Sequence, residues 1–196
     1  MITFIKGKVI VCQPTSLILE TGGIGYYINI SLNTYSKINE MSELMILTHQ
    51  IIKEDGHYLY GFAEENERTL FVQLLSVNGV GANTARVILS SLDPSSVRMA
   101  ILTGDDTVFR KVKGVGPKTA QRIIIDLKDK ISKESGNEQI ISKSVGFKGK
   151  NEALSALLAL GFIRTQVEQV IRTISDQEAE NSNIEELIKL CLKKLS

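Results

Sequence analysis

Residues 112–123 read VKGVGPKTAQRI, and residues 77–88 read VNGVGANTARVI, the same glycine pattern 35 positions earlier. Two copies in register, each followed by apolar residues at helical spacing, constrain the chain to a duplicated helix–loop–helix unit. A G-V-G loop opening a helix turns backbone N–H groups outward, with no Cβ in the way of an approaching anion. A single copy is adequately explained as a turn between helices. A second copy flanked by Lys113, Lys118 and Arg122 points instead to the phosphates of a nucleic acid.

Charge supports that reading once it is counted by segment. The whole chain is nearly neutral at +1, with four Lys/Arg against five Asp/Glu in residues 1–63 and eleven against nine in residues 64–134. Within residues 107–122, however, Arg110, Lys111, Lys113, Lys118 and Arg122 occur with no acid, which focuses positive potential beside the second loop. Other phosphate motifs fail on spacing. GVGPKT lacks the second glycine that a Walker A loop places before its lysine, and neither loop has the preceding strand or third glycine of a dinucleotide-binding turn. No ATP site is expected in this chain.

The remaining sequence divides by period. Up to about Ala63, TFIKGKVIVC, SLILE, GYYINIS, LMILTHQIIK and HYLYGF alternate like short strands and predict a small closed barrel of the OB type. The last two meet at KEDG, Lys53 to Gly56, a tight hairpin. From about Glu64 the period becomes helical and holds to about residue 134, with caps at LDPSS and TGDD. Residues 135–149 mix Gly, Ser and charge and predict a flexible linker. The stretches NEALSALLAL, TQVEQVIRTI and NIEELIKLCLKKL then predict a bundle of three short helices over residues 150–196.

Cys12 and Cys191 sit far apart among apolar residues, without CxxC spacing or enough histidines for zinc, so buried free thiols and no metal site are expected. The start MITFIKGKVIV alternates like a strand and is not a leader, and no run reaches membrane-spanning length. A cytoplasmic protein with no membrane partner is the expectation. His49 and His57 read as core or edge histidines. Of Tyr26, Tyr27, Tyr58 and Tyr60, alternation sends about half into the core, leaving the rest as candidates for base stacking.

With NGVGANTARVIL and KGVGPKTAQRII resembling tandem helix-hairpin-helix motifs, and LYGF at 59–62 and ERTLF at 67–71 beside them, the whole chain resembles the RuvA family. The resemblance implies a multi-domain α+β protein: an OB-like barrel over 1–63, a tandem helix-hairpin-helix DNA-binding domain over 64–134, the linker, and a three-helix bundle that contacts RuvB. It further implies a homotetramer, single or doubled face to face, that holds an open Holliday junction and stimulates the RuvB hexamer in recombination and repair. The RuvC resolvase is the other protein it brings to the same junction. ATP and Mg²⁺ belong to RuvB, and this chain is non-catalytic with no cofactor of its own.

By the same resemblance the phosphate contacts fall at Gly79, Val80, Gly81, Asn83, Gly114, Val115, Gly116, Lys118, Thr119 and Arg122. Ala82-Asn83 stands where the family pattern carries Pro-Lys, which makes the first loop less cationic. Glu54 and Asp55, which would repel phosphate, correspond to an acidic pin near the junction centre; taken alone, KEDG is an ordinary Asp-Gly turn. The ALGF turn assigns Leu160, Gly161 and Phe162 as the RuvB contact, a plain interhelical turn being the alternative. Two rival classes are a helix-hairpin-helix glycosylase or nuclease and an OB-type RNA-binding factor. Asp126 and Asp129 follow the second loop as candidates for the former, yet both fall on a charged helical face with Lys130 and Lys133 as i,i+4 partners.

Overall fold

In the computed structural model, which describes residues 1–141, 147–174 and 183–195, the alternation of the amino-terminal segment becomes five strands. They are β1 (Phe4–Gln13), β2 (Ser16–Thr21), β3 (Ile24–Ile30), β4 (Glu43–Lys53) and β5 (Gly56–Phe62). Four antiparallel pairings and one parallel pairing, β3 with β5, close a barrel in the order β1-β2-β3-β5-β4. Alternate side chains point inward, so Ile5, Leu17, Leu19, Ile28, Ile30, Leu44, Ile46 and Leu59 fill the interior. Gly61 is the inward residue that must stay small. A Cβ there would lie 2.6 Å from Ile28 Cγ2 and 2.8 Å from Ile46 Cδ1.

Between β3 and β4 the chain forms α1 (Leu32–Ile38), absent from the strand-and-turn expectation because Asn, Thr, Tyr and Ser carry little helix propensity. Its start is fixed by Ser31, whose Oγ accepts from the Thr34 N–H at 3.0 Å. The helical region follows as α2 (Glu65–Leu75), α3 (Ala82–Ser91), α4 (Pro94–Thr103), the single turn α5 (Thr107–Arg110) and α6 (Pro117–Ile141). The cap read at LDPSS is present. The Asp93 carboxylate accepts from the N–H groups of Ser95 and Ser96 at 3.0 Å each, and with the two serine hydroxyls these bonds hold its pKa far below the usual carboxylate range. At TGDD, α4 ends on Gly104 in the left-handed conformation.

The barrel and the helices that follow it pack against one another in one compact unit over Met1–Ser132. The reason is β5, buried on both faces over its last four residues. Leu59 points into the barrel, while Tyr60 and Phe62 meet Phe71 of α2 with ring centroids 5.0 and 4.9 Å apart. His49 of β4 approaches the same ring edge-on at 5.8 Å, and burial pushes its pKa down. Beside them Glu67 is fully buried. Its carboxyl accepts from the Thr34 hydroxyl at 2.7 Å and from the Ser31 hydroxyl, and the Thr34 oxygen in turn accepts from the Ala63 N–H at 3.1 Å. Half-buried Cys12 lies against the barrel core.

The linker expectation also needs correction. α6 continues to Ile141, so residues 135–141 are helical; residues 142–146 lie outside the described residues, and α7 begins at Phe147. Extending a helix already nucleated costs little, and Glu138 and Gln139 of this stretch accept it despite its lack of apolar period. The second unit, Lys133–Ser196, contains α7 (Phe147–Ala159), α8 (Arg164–Arg172) and α9 (Ile184–Leu195) around Ala153, Leu157, Val167, Ile174, Leu187 and Cys191. Among the described residues no helix is long and apolar enough to cross a membrane.

Burial outweighs the two hydroxyl bonds at Glu67 and raises its pKa above the usual 4.5, so the folded state favours the protonated acid. The stability this contributes is full below pH 4.5 and disappears as pH rises through the raised folded value. Glu67→Gln, neutral at every pH, should therefore gain stability relative to the parent across that window, measured by urea unfolding at several pH values. Glu67→Ala strands two buried hydroxyls and should cost about 1–3 kcal/mol for each.

Candidate nucleic-acid interface

Three backbone hydrogen bonds that shape the first glycine loop have counterparts 35 residues on. Val77 N–H donates to Leu74, Val80 to Val77 and Ala85 to Gly81; Val112 donates to Phe109, Val115 to Val112 and Ala120 to Gly116, all at 2.9–3.1 Å. Gly79 and Gly114 take φ of +91° and +89°, a conformation that only glycine adopts without strain. The two loops are neighbours in space. A Cβ on Gly79 would lie 4.0 Å from Thr119 Oγ1 at the start of α6.

The N–H groups of Val80 and Val115 are engaged inside the turn and their side chains are buried, so these two residues anchor the loops to the core. The donors left open are those of Gly79, Gly81, Gly114 and Gly116 and of the first helical turns: Ala82, Asn83 and Thr84 on α3, and Lys118 and Thr119 on α6, where Pro117 has no N–H to offer. None is satisfied by a described residue.

The preceding glycines explain why. Gly81 has φ −89°, open to any residue, and a Cβ on Gly81 or Gly116 would meet nothing within 4 Å. Neither backbone strain nor packing demands glycine at these two positions. At α1 and α4, Ser31 and Asp93 close the corresponding donors with their own side chains, whereas α2 and α8, like α3, begin without a side-chain cap. At α3 and α6 the donors face solvent, with the positive ends of the helix dipoles behind them.

Lys113, Lys118 and Arg122 are exposed and make no ion pair with a described residue, whereas Arg110 is held by Asp106 at 2.5 Å. Asn83 is exposed at the matching point of the first loop. Arg86, on the helix that follows that loop, turns back to the barrel: its Nη1 donates to the Thr15 carbonyl at 2.9 Å and the Asn29 side-chain oxygen at 3.5 Å. Sequence reading missed this clamp, since nothing local distinguishes it from a surface arginine. The second loop therefore supplies the charge and the first supplies backbone donors.

Glu54 and Asp55 form the exposed turn of the β4–β5 hairpin, closed by the Lys53–Gly56 pair. Tyr58 donates its hydroxyl to Asp55 Oδ2 at 2.9 Å, and Lys53 Nζ lies 5.4 Å from the centre of the Tyr58 ring. Tyr60 is core, Tyr26 half-buried and Tyr27 exposed, so the tyrosines do not make one stacking platform. In the second unit, α7 ends in a Schellman turn: Gly161 has φ +91°, its N–H donates to Leu158, and the Phe162 N–H donates to Leu157. Phe162 consequently folds onto the bundle core, while Leu160 and Ile163 are exposed at 63% and 62%. Ile163 was not among the candidate contacts. Among the described residues no three His, Cys, Asp or Glu gather to hold a metal ion.

Comparison with known proteins matches three stretches to family models: RuvA N terminal domain over residues 1–61, SAM-like helix-hairpin-helix tandem over 71–129, and RuvA C-terminal domain over 149–196. Relatives named Holliday junction branch migration complex subunit RuvA match along their full length. Those of Christiangramia forsetii and Flavobacterium psychrophilum are 48% and 45% identical over 195 residues, covering all of both chains. That of Porphyromonas gingivalis is 42% identical over 203 aligned positions, again with complete coverage. Barrel, paired hairpins and carboxy-terminal helices thus agree in order and extent with those proteins, and the chain belongs to the RuvA family.

Proposed function

We propose that this chain binds four-way DNA junctions as a homotetramer, holds the junction open, and engages a RuvB ATPase through its carboxy-terminal bundle. The observation that carries the reading is the pair of uncapped helix starts, adjacent in space and left without side chains at Gly81 and Gly116. Phosphate oxygens satisfy such donors, and two neighbouring loops suit the two strands of one duplex arm gripped across its minor groove. Shape and charge are recognised, and base edges are not read. The relatives are named as subunits of a Holliday junction branch migration complex, which supports a junction ligand and a role within a complex.

In this reading Lys118, Thr119 and Arg122 hold one strand, and the N–H groups behind Gly81 with Asn83 hold the other. The carboxylates of Glu54 and Asp55 stand at the crossover and repel strands that would close over it. Leu160 presents an apolar contact to RuvB, which supplies the ATP and Mg²⁺ chemistry; this chain is the non-catalytic subunit. The deciding experiment is a gel shift with four-way junction, duplex and single-stranded DNA at one fixed salt concentration, with strand cleavage assayed on the same samples. Preference for the junction without cleavage is expected. Equal affinity for single strands, or cleavage, would favour the RNA-binding or repair-enzyme classes.

Lys118→Ala should weaken junction binding and lower the slope of log affinity against log salt by about 0.9, because one phosphate fewer is neutralised. Asn83→Ala should cost less and leave the slope unchanged, because no charge is removed. Leu160→Glu should leave junction affinity as it is and abolish stimulation of RuvB ATPase activity, measured with a cognate RuvB on junction DNA.

A further inference from the structure

The two acids of the hairpin tip are chemically alike but structurally unequal. Asp55 accepts the Tyr58 hydroxyl at 2.9 Å; among the described residues no corresponding bond holds Glu54. The Tyr58 ring is itself anchored. It is half-buried against the core shared by barrel and helices, stands opposite Ile51 in the β4–β5 ladder, and carries the Lys53 ammonium 5.4 Å from its centre. A rigid phenol thus connects the body of the protein to one carboxylate at an exposed turn.

We infer that Tyr58 is a positioning residue that fixes the direction of the Asp55 carboxylate, and that this direction, beyond the mere presence of charge, sets the preference for an open junction over plain duplex. The inference rests on the reading of Glu54 and Asp55 as an acidic pin. Its physical basis is entropic. A freely rotating carboxylate swings away from an approaching phosphate and gives up most of its repulsion, because Coulomb energy falls with distance and water screens what remains. A carboxylate held by a hydrogen bond keeps its position, so the strand must avoid it. Lys53, drawn over the ring face, is kept from reaching outward as a phosphate ligand at the tip that has to repel. Glu54 adds charge without a fixed direction.

The test compares junction and duplex affinities at one salt concentration for the parent, Tyr58→Phe, Asp55→Asn, the double variant Tyr58→Phe/Asp55→Asn, and Glu54→Gln/Asp55→Asn. Tyr58→Phe removes one oxygen and keeps the ring, its packing and the lysine contact. It should lower the junction-to-duplex affinity ratio about threefold, the low end of the net worth of one hydrogen bond, because this one is exposed to water. Asp55→Asn should lower the ratio at least as far, and adding Tyr58→Phe to it should cost nothing more. A second readout is independent of DNA. The bond from Asp55 raises the Tyr58 phenol pKa, so ultraviolet titration of the full chain should show that pKa fall in Asp55→Asn. A parent-like ratio in Tyr58→Phe while Asp55→Asn narrows it overturns the positioning role, as do effects that multiply independently in the double variant. A parent-like ratio in Glu54→Gln/Asp55→Asn overturns the pin itself, and the inference with it. An unchanged phenol titration in Asp55→Asn removes the hydrogen bond that the positioning role requires, and overturns it too.

Discussion

Burial of Phe71 and Glu67 under the outer face of β4 and β5 is the join on which the amino-terminal unit depends. Phe71 packs against two aromatic rings of β5 and an imidazole of β4, and Glu67 reaches the hydroxyls of Ser31 and Thr34 at the start of α1. An apolar contact alone tolerates sliding; a buried carboxyl with two specific donors does not, because any shift strands polar groups away from water. Barrel and α2 are thereby locked in one arrangement. The acidic hairpin grows from the same two strands, so its base is rigidly tied to the helix that leads into the first glycine loop.

The glycines divide by physical role. Gly79 and Gly114 are dictated from within by a backbone conformation that side chains disfavour, and Gly61 by the crowding of Ile28 and Ile46 in the barrel. Gly81 and Gly116 answer to no such internal demand. A helix start that is stable alone places Ser, Asp or Asn there, as this chain does at α1 and α4. Leaving donors open lowers the stability of the isolated helix and leaves a surface ready for an anion. The valines of the loops serve that surface indirectly, by pinning the turns to the core.

Charge is divided in a similar way. Of the arginines and lysines in the helical region, Arg86 and Arg110 are committed to contacts within the chain, while Lys113, Lys118 and Arg122 stay unpaired with described residues around the second loop. At the hairpin the reverse holds. Lys53 is drawn over an aromatic face and the acids face outward. A nearly neutral protein thus presents localised potentials of both signs.

Much of this was legible in the residues. Alternation located five strands, the change of period at Glu64 located the helices, LDPSS and TGDD marked caps, and the 35-residue repeat of the glycine loops announced two equivalent turns. These are local properties, set by φ preference, side-chain period and short-range hydrogen bonds, and a sequence carries them openly. α1 escaped because its residues have weak intrinsic propensity and its position is fixed by Glu67, more than thirty residues away. The packing of α2 against the outer face of the barrel escaped because burial of β5 on two faces is a fact of packing. Charge alone cannot tell Arg86 from Arg122, nor can apolarity tell Phe162 from Ile163; in each pair one side chain is claimed by a distant part of its own unit and the other is left for solvent. The sequence by itself determined the elements and the loops. Only the tertiary structure decided which donors, charges and apolar groups remained available, because that remainder depends on contacts between residues far apart in the chain.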